Sequence, residues 1–131
     1  MDTLPEVQDR RKHNRIMVKS GVVALLNHEV YQIGELLDIG LGGLAMRYTG
    51  DELTLHHPFV LDVMIMGQDD VYLRRVPGKI ICSSGVDGLP NGARRLMRCG
   101  ISFSLLSEDQ ETMLQSYVEE TFMMIEQNVK Q

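Results

Sequence analysis

The chain contains no tryptophan, and tyrosine and phenylalanine together make up only 5% of it. Surfaces that stack single-stranded nucleic acid are built from aromatic rings, so a broad platform of that kind is poorly supported. Cysteine is almost as scarce. Cys82 and Cys99 make neither a CxxC pair nor a disulfide framework, and they read as buried thiols in a reducing compartment. Long hydrophobic runs are missing too. The longest, Gly21 to Leu26, is far short of the roughly 20 residues that span a bilayer, so no membrane insertion is expected. The first fifteen residues carry Asp2, Glu6 and Asp9 and no apolar stretch, and Arg10-Arg11 is followed by polar Lys12-His13-Asn14-Arg15. These features predict no secretory or twin-arginine signal and a cytoplasmic location.

Signs of catalysis are equally sparse. His13, His28, His56 and His57 are scattered without an i, i+4 pair, and His56-His57-Pro58 reads as a loop rather than a metal site. Neither a GxSxG elbow nor a nucleophile–base pair is evident around Ser83, Ser84, Asp62 or the cysteines. The expectation is a protein that is not an enzyme and carries no metal or resident cofactor.

What remains is a chain of 131 residues, 44% apolar and 24% charged, suited to one hydrophobic core. Residues 1–9 form a polar arm expected to be flexible, and residues 10–131 are expected to form a single domain. Net charge is −5, unevenly spread. Arg10, Arg11, Lys12 and Arg15 stand together without an acid among them, while the rest of the chain holds 9 basic against 18 acidic residues. A compact cationic spot on an acidic protein suggests one local anion site, not an extended face for a nucleic-acid polymer.

Short apolar segments separated by turn residues predict strands near 15–26, 30–37, 43–49, 58–66, 71–84 and 95–105, most clearly at Ile101-Ser102-Phe103-Ser104-Leu105, where apolar and polar residues alternate. An all-β core follows, a six-stranded antiparallel barrel or sandwich whose closure would leave no free edge. At Ser107 the pattern changes. Ser107-Glu108-Asp109-Gln110 is a capping box, and Leu114, Val118, Phe122, Ile125 and Val129 make one apolar stripe. They predict a C-terminal helix over about 107–128, packed on the barrel, whose far end is long enough to project toward a partner. Of the nine methionines, Met64, Met66, Met113, Met123 and Met124 are expected to fill the core, the last two alternatively marking an adaptable partner surface. Arg74 and Arg75, adjacent on one strand, are expected on opposite faces.

Two segments carry chemistry. Arg11 and Arg15 stand at RxxxR spacing with Arg10 just before them. Guanidinium keeps its charge and offers a planar fork that fits phosphate or the O6/N7 edge of guanine. Downstream, Asp38-Ile39-Gly40-Leu41-Gly42-Gly43 puts an acid at a strand end before a glycine turn that a ligand can approach closely. A carboxylate there can accept from a guanine N1–H and exocyclic amine. With no lysine following and another strand next, the turn is neither a GxGxxG fingerprint nor a P-loop.

Taken in order, Arg10-Arg11-x-x-x-Arg15 and Asp38-x-Gly40-x-x-Gly43 resemble the PilZ domain, the bacterial receptor module for cyclic di-GMP, whose pattern is RxxxR followed by (D/N)xSxxG. The closing strand Arg98-Cys99-Gly100-Ile101-Ser102-Phe103 and the helix after it extend the resemblance to roughly residues 8–120. The resemblance implies a PilZ-type barrel in which Arg11 and Arg15 grip guanine and phosphate, Asp38 reads a guanine edge, and Gly43 keeps the turn open. It implies that Arg10 goes with binding a stacked cyclic di-GMP dimer. Gly40 departs from the pattern, where the family has serine; the absent hydroxyl forfeits one hydrogen bond of about 0.5–1.5 kcal/mol, a few-fold to about tenfold in affinity. Arg98 is a further candidate to line the ligand groove, and Arg47 a similar outsider. The function implied is a receptor that orders its arginine arm on cyclic di-GMP and signals to a downstream protein partner through a changed surface. The alternative is a degenerate PilZ adaptor that binds a protein without nucleotide.

Overall fold

The computed structural model describes residues 15–26, 31–50, 53, 59–67, 70–85 and 95–130, with side chains described up to residue 125. Among the described residues seven strands and one helix follow in order: β1 Arg15–Met17, β2 Gly21–Leu26, β3 Tyr31–Gly40, β4 Gly43–Thr49, β5 Phe59–Ile65, β6 Val71–Gly85, β7 Leu96–Phe103 and α1 Glu108–Lys130. Every pairing is antiparallel, and the order β3-β2-β5-β6-β7-β4 closes on itself through β3 and β4. This is a six-stranded barrel. β1 is an extra short strand on the flank of β3 that β2 occupies further along, so the strand expected over 15–26 is broken in two. Four residues, Val18 to Gly21, span the stretch where β3 has only Leu36 and Leu37, so the chain bows outward there, and the Val18 N–H donates to the Leu37 carbonyl at 2.9 Å.

Alternation builds the core. Val23, Leu25, Leu36, Ile39, Leu44, Met46, Leu61, Leu73, Met97 and Ile101 point inward and are fully buried. Among the described side chains of α1 only Leu114 joins them, with Tyr117 and Val118 packed at the rim. The helix begins with the capping box expected from sequence: the Ser107 N–H donates to Gln110 Oε1 at 3.0 Å, and the Gln110 N–H donates to Ser107 Oγ at 3.1 Å. Such a cap contributes about 1 kcal/mol. Gln110 Nε2 also donates to the Arg74 carbonyl at 2.7 Å, tying the helix start to β6. Beyond Val118 the stripe leaves the barrel, and Phe122, Met123, Met124 and Ile125 are exposed.

Three sequence expectations are corrected, each by the phase of an element. Met64, Met66, Met113, Met123 and Met124 are all exposed, because Met64 lies between inward Val63 and Ile65 and the rest lie at a strand end or on the free side of the helix. Met46 and Met97 fill the core instead. Arg74 and Arg75 are both exposed. They form a bulge opposite Asp62, where Arg75 takes φ 54° and its N–H donates to Asp62 Oδ1 at 2.8 Å. Cys82 is exposed, since a bulge at Ile81 shifts the register between Ile80 and Cys82 and turns the thiol outward.

Two positions give direct tests. A Cβ on Gly43 would lie 2.1 Å from the Ile101 carbonyl oxygen, so β4 and β7 approach closely only because that side chain is absent. Gly43→Ala should therefore lower unfolding free energy by about 2 kcal/mol or more without any ligand, measured by urea titration of circular dichroism. Cys99 is fully buried, and burial, with a smaller contribution from Cys82, pushes its thiol up from 9.0 to about 12. The folded chain then holds a proton that the unfolded chain has lost, so stability present below pH 9 falls as pH climbs toward about 12. Cys99→Ala should lose that part of the alkaline slope, and a thiol reagent at pH 8 should modify one cysteine in the native chain and two in denaturant.

Candidate functional site

The site grows out of one irregularity in β3. Leu36 pairs with Met46 and Asp38 with Ala45, so Leu37 is an extra residue with no partner of its own on β4. Leu36 and Ile39 both face the core, with two residues between them instead of one. Asp38 thereby falls on the outer face of the barrel. Without the bulge, strict alternation from Leu36 would have buried its carboxylate in the core, at a cost of several kcal/mol unless paired.

Arg15 opens β1 opposite Gly40, and Met17 lies opposite Asp38. Cross-strand spacing therefore sets Arg15 diagonal to Asp38, and its Nη1 donates to Asp38 Oδ1 at 3.3 Å. Both side chains are largely shielded, 13% and 10% exposed, so their attraction is less screened than that of a surface pair. Arg15 keeps further N–H donors in its fork, and the carboxylate keeps lone pairs, so the pair can meet a ligand that presents acceptor and donor edges side by side. The structure thus joins the two sequence motifs through one ion pair between residues 23 apart.

Gly40 and Gly43 close the β3–β4 hairpin around a two-residue Leu41-Gly42 turn. Leu41 packs against the core, which pins the tip of the turn to the barrel end. The close approach of β7 already requires glycine at position 43, a packing reason beside the ligand role that the resemblance implies. Arg10 and Arg11 lie outside the described residues. Arg98 is on the outer face of β7, opposite Arg47 and Ser84 and four positions from Ser102, which faces Gly43. It is not brought against Arg15 or Asp38, but sits two positions along β7 from Gly100, which lies in the Asp38–Ala45 row. Arg47 is engaged by Glu35, its Nε donating to Glu35 Oε1 at 3.1 Å. Both are well exposed, and such a pair contributes little to stability.

The wall beside the turn also includes residues that sequence reasoning did not single out. Ser102 faces Gly43, and Lys79 faces Ser102. Neither has a motif to mark it, since only the pairing of β4, β7 and β6 brings them into line with Arg15. Among the described residues no group of three His, Cys, Asp or Glu is placed to hold a metal ion. No described helix is long and apolar enough to cross a membrane.

Solved structures of similar shape share this barrel. The PilZ domain of YcgR from Escherichia coli, solved with c-di-GMP, superposes with a TM-score of 0.68 at 18% identity, over 94% of this chain and 99% of that one. The MrkH–c-di-GMP complex of K. pneumonia gives 0.67 at 12% identity, over 94% of this chain and 56% of that one. The inhibitor of motility MotI/DgrA of Bacillus subtilis gives 0.60 at 16% identity, over 87% and 52%. This chain therefore spans about half the length of the latter two. At these identities the likeness establishes the fold. Comparison with curated proteins gave no match. The sequence itself matches the PilZ domain profile over residues 9–120, most of its length, and the chain belongs to the PilZ domain family.

Proposed function

We propose that this chain is a non-catalytic receptor for cyclic di-GMP, with Arg15 and Asp38 at the centre of its site. The observation that carries this reading is the shielded Arg15–Asp38 pair on the outer wall, beside the glycine hairpin and in the positions of the family's two motifs. Guanidinium and carboxylate side by side complement guanine, which has acceptors on its O6/N7 edge and donors at N1 and N2. The YcgR PilZ domain and MrkH were both solved with c-di-GMP, which supports the same ligand class.

In this reading Arg10 and Arg11, just upstream of Arg15, close over the ligand from the N-terminal arm. Ordering the arm costs conformational entropy, and charge-assisted hydrogen bonds to phosphate and guanine offset it. The output is a changed surface, formed by arm and barrel, that a downstream protein recognises, in the cytoplasm where the second messenger is made. Arg10 favours two stacked ligands per chain. Gly40 in place of serine removes one hydroxyl donor, which is the specific observation behind the second reading, an adaptor that binds protein without nucleotide.

Isothermal titration calorimetry with cyclic di-GMP, and GTP as control, decides between them. Saturable heat with cyclic di-GMP alone supports the receptor, and a stoichiometry near two supports the role of Arg10. Arg15→Lys keeps a cation beside Asp38 but loses the fork, so affinity should fall by at least about tenfold while the melting temperature changes little. Absence of heat at about 100 μM ligand would mean binding weaker than about −5.5 kcal/mol and would favour the adaptor. Gly40→Ser should tighten a working site by a few-fold and leave a lost one silent.

A further inference from the structure

The outer wall beside the glycine turn is organised over five strands. Antiparallel pairing carries one row from Arg15 through Gly40, Gly43 and Ser102 to Lys79. A second row runs from Met17 through Asp38, Ala45 and Gly100 to Cys82. Between them lies a row of Ile16, Ile39, Leu44, Ile101 and Ile80, each at most 4% exposed. That middle row faces the core, so the two flanking rows lie on the outer side of the sheet, where Asp38, Gly40, Gly43, Ala45 and Gly100 are nevertheless buried and Met17, Lys79 and Cys82 are exposed.

The outward rows have an unusual shape. On β3, β4 and β7, apart from Asp38, they hold only Gly40, Gly43, Ala45, Gly100 and Ser102, so nothing larger than a hydroxymethyl rises from the floor. Charge stands at both ends. Arg15 and Asp38 hold one end, and Lys79, exposed and without an ion pair among the described residues, holds the other. Four strand spacings of about 4.8 Å put the two ends roughly 19 Å apart along the wall. That distance suits a ligand with two separated recognition edges better than a mononucleotide. The thiol of Cys82 lies against this floor, since a Cβ on Gly100 would be 2.7 Å from its Sγ.

We infer that the bound ligand lies flat across β3, β4 and β7, and that Lys79 on β6 holds its far end. The ammonium meets an anionic oxygen or a guanine acceptor edge at the end remote from Arg15, and this second grip selects a dinucleotide over a single nucleotide. The inference rests on the receptor reading above and extends it from the motif residues to β6.

Two measurements on the full chain test it. Cys99 is buried, so iodoacetamide reports on Cys82 alone. Saturating cyclic di-GMP should slow Cys82 alkylation at least fivefold. Lys79→Glu, at an exposed position the fold does not depend on, should raise Kd at least tenfold. Arg74→Glu makes the same change of charge on the same strand, five positions away, and should leave Kd within twofold. Binding with unprotected Cys82 and a Kd unchanged in Lys79→Glu would overturn the inference while sparing the receptor reading, because the ligand would then rest on the Arg15 side alone. Absence of binding to the unaltered chain would instead overturn the receptor reading itself, and this inference with it.

Discussion

The site depends on one extra residue. Period-two alternation assigns every position of a strand to the inside or the outside, and a single bulge reverses the assignment for all that follows. Leu37 makes that reversal within β3. Before it, Glu35 faces out and Leu36 faces in; after it, Asp38 faces out and Ile39 faces in. The hydrophobic core is continuous across the change, while a carboxylate is delivered to the wall where Arg15 can meet it. The place of Asp38 on the outer wall rests on the phase of this one strand.

The same device recurs on β6, and there it explains where the sequence misleads. Bulges are properties of a pair of strands, because they are fixed by which residues the partner offers. Arg74 and Arg75 read as ordinary strand positions until Asp62 is seen opposite both of them. Cys82 reads as a buried thiol until Ile81 is seen to be supernumerary. Local pattern carried most of the rest: the alternation around Ile101 to Phe103 located β7, and the reciprocal Ser107–Gln110 pairing located the start of α1 within a residue. The apolar stripe of the helix gave its direction of packing, but not that contact with the core ends near Val118.

Legibility of the site divides the same way. Arg15 and Asp38 stand out in the sequence because their residue types and spacing form a family pattern, and the barrel brings them together as a pair. Arg98 carries the same residue type as Arg15, yet register sets it beside Arg47, away from the glycine hairpin. Lys79 and Ser102 carry no local signal at all. They enter only through the antiparallel ladder, which converts sequence separations of twenty residues or more into neighbours about 4.8 Å apart.

Closure of the barrel has a consequence beyond the wall itself. Every strand of the ring has a neighbour on both sides, although β6 pairs with β5 only up to Gly78 and with β7 only from Gly78 onward, and the three residues of β1 stand outside the ring. A closed ring of this kind has no strand whose whole edge lies open to a neighbour. The ring is thus closed on itself, with the Arg15–Asp38 pair on its outer wall and the far end of its helix standing clear of the core.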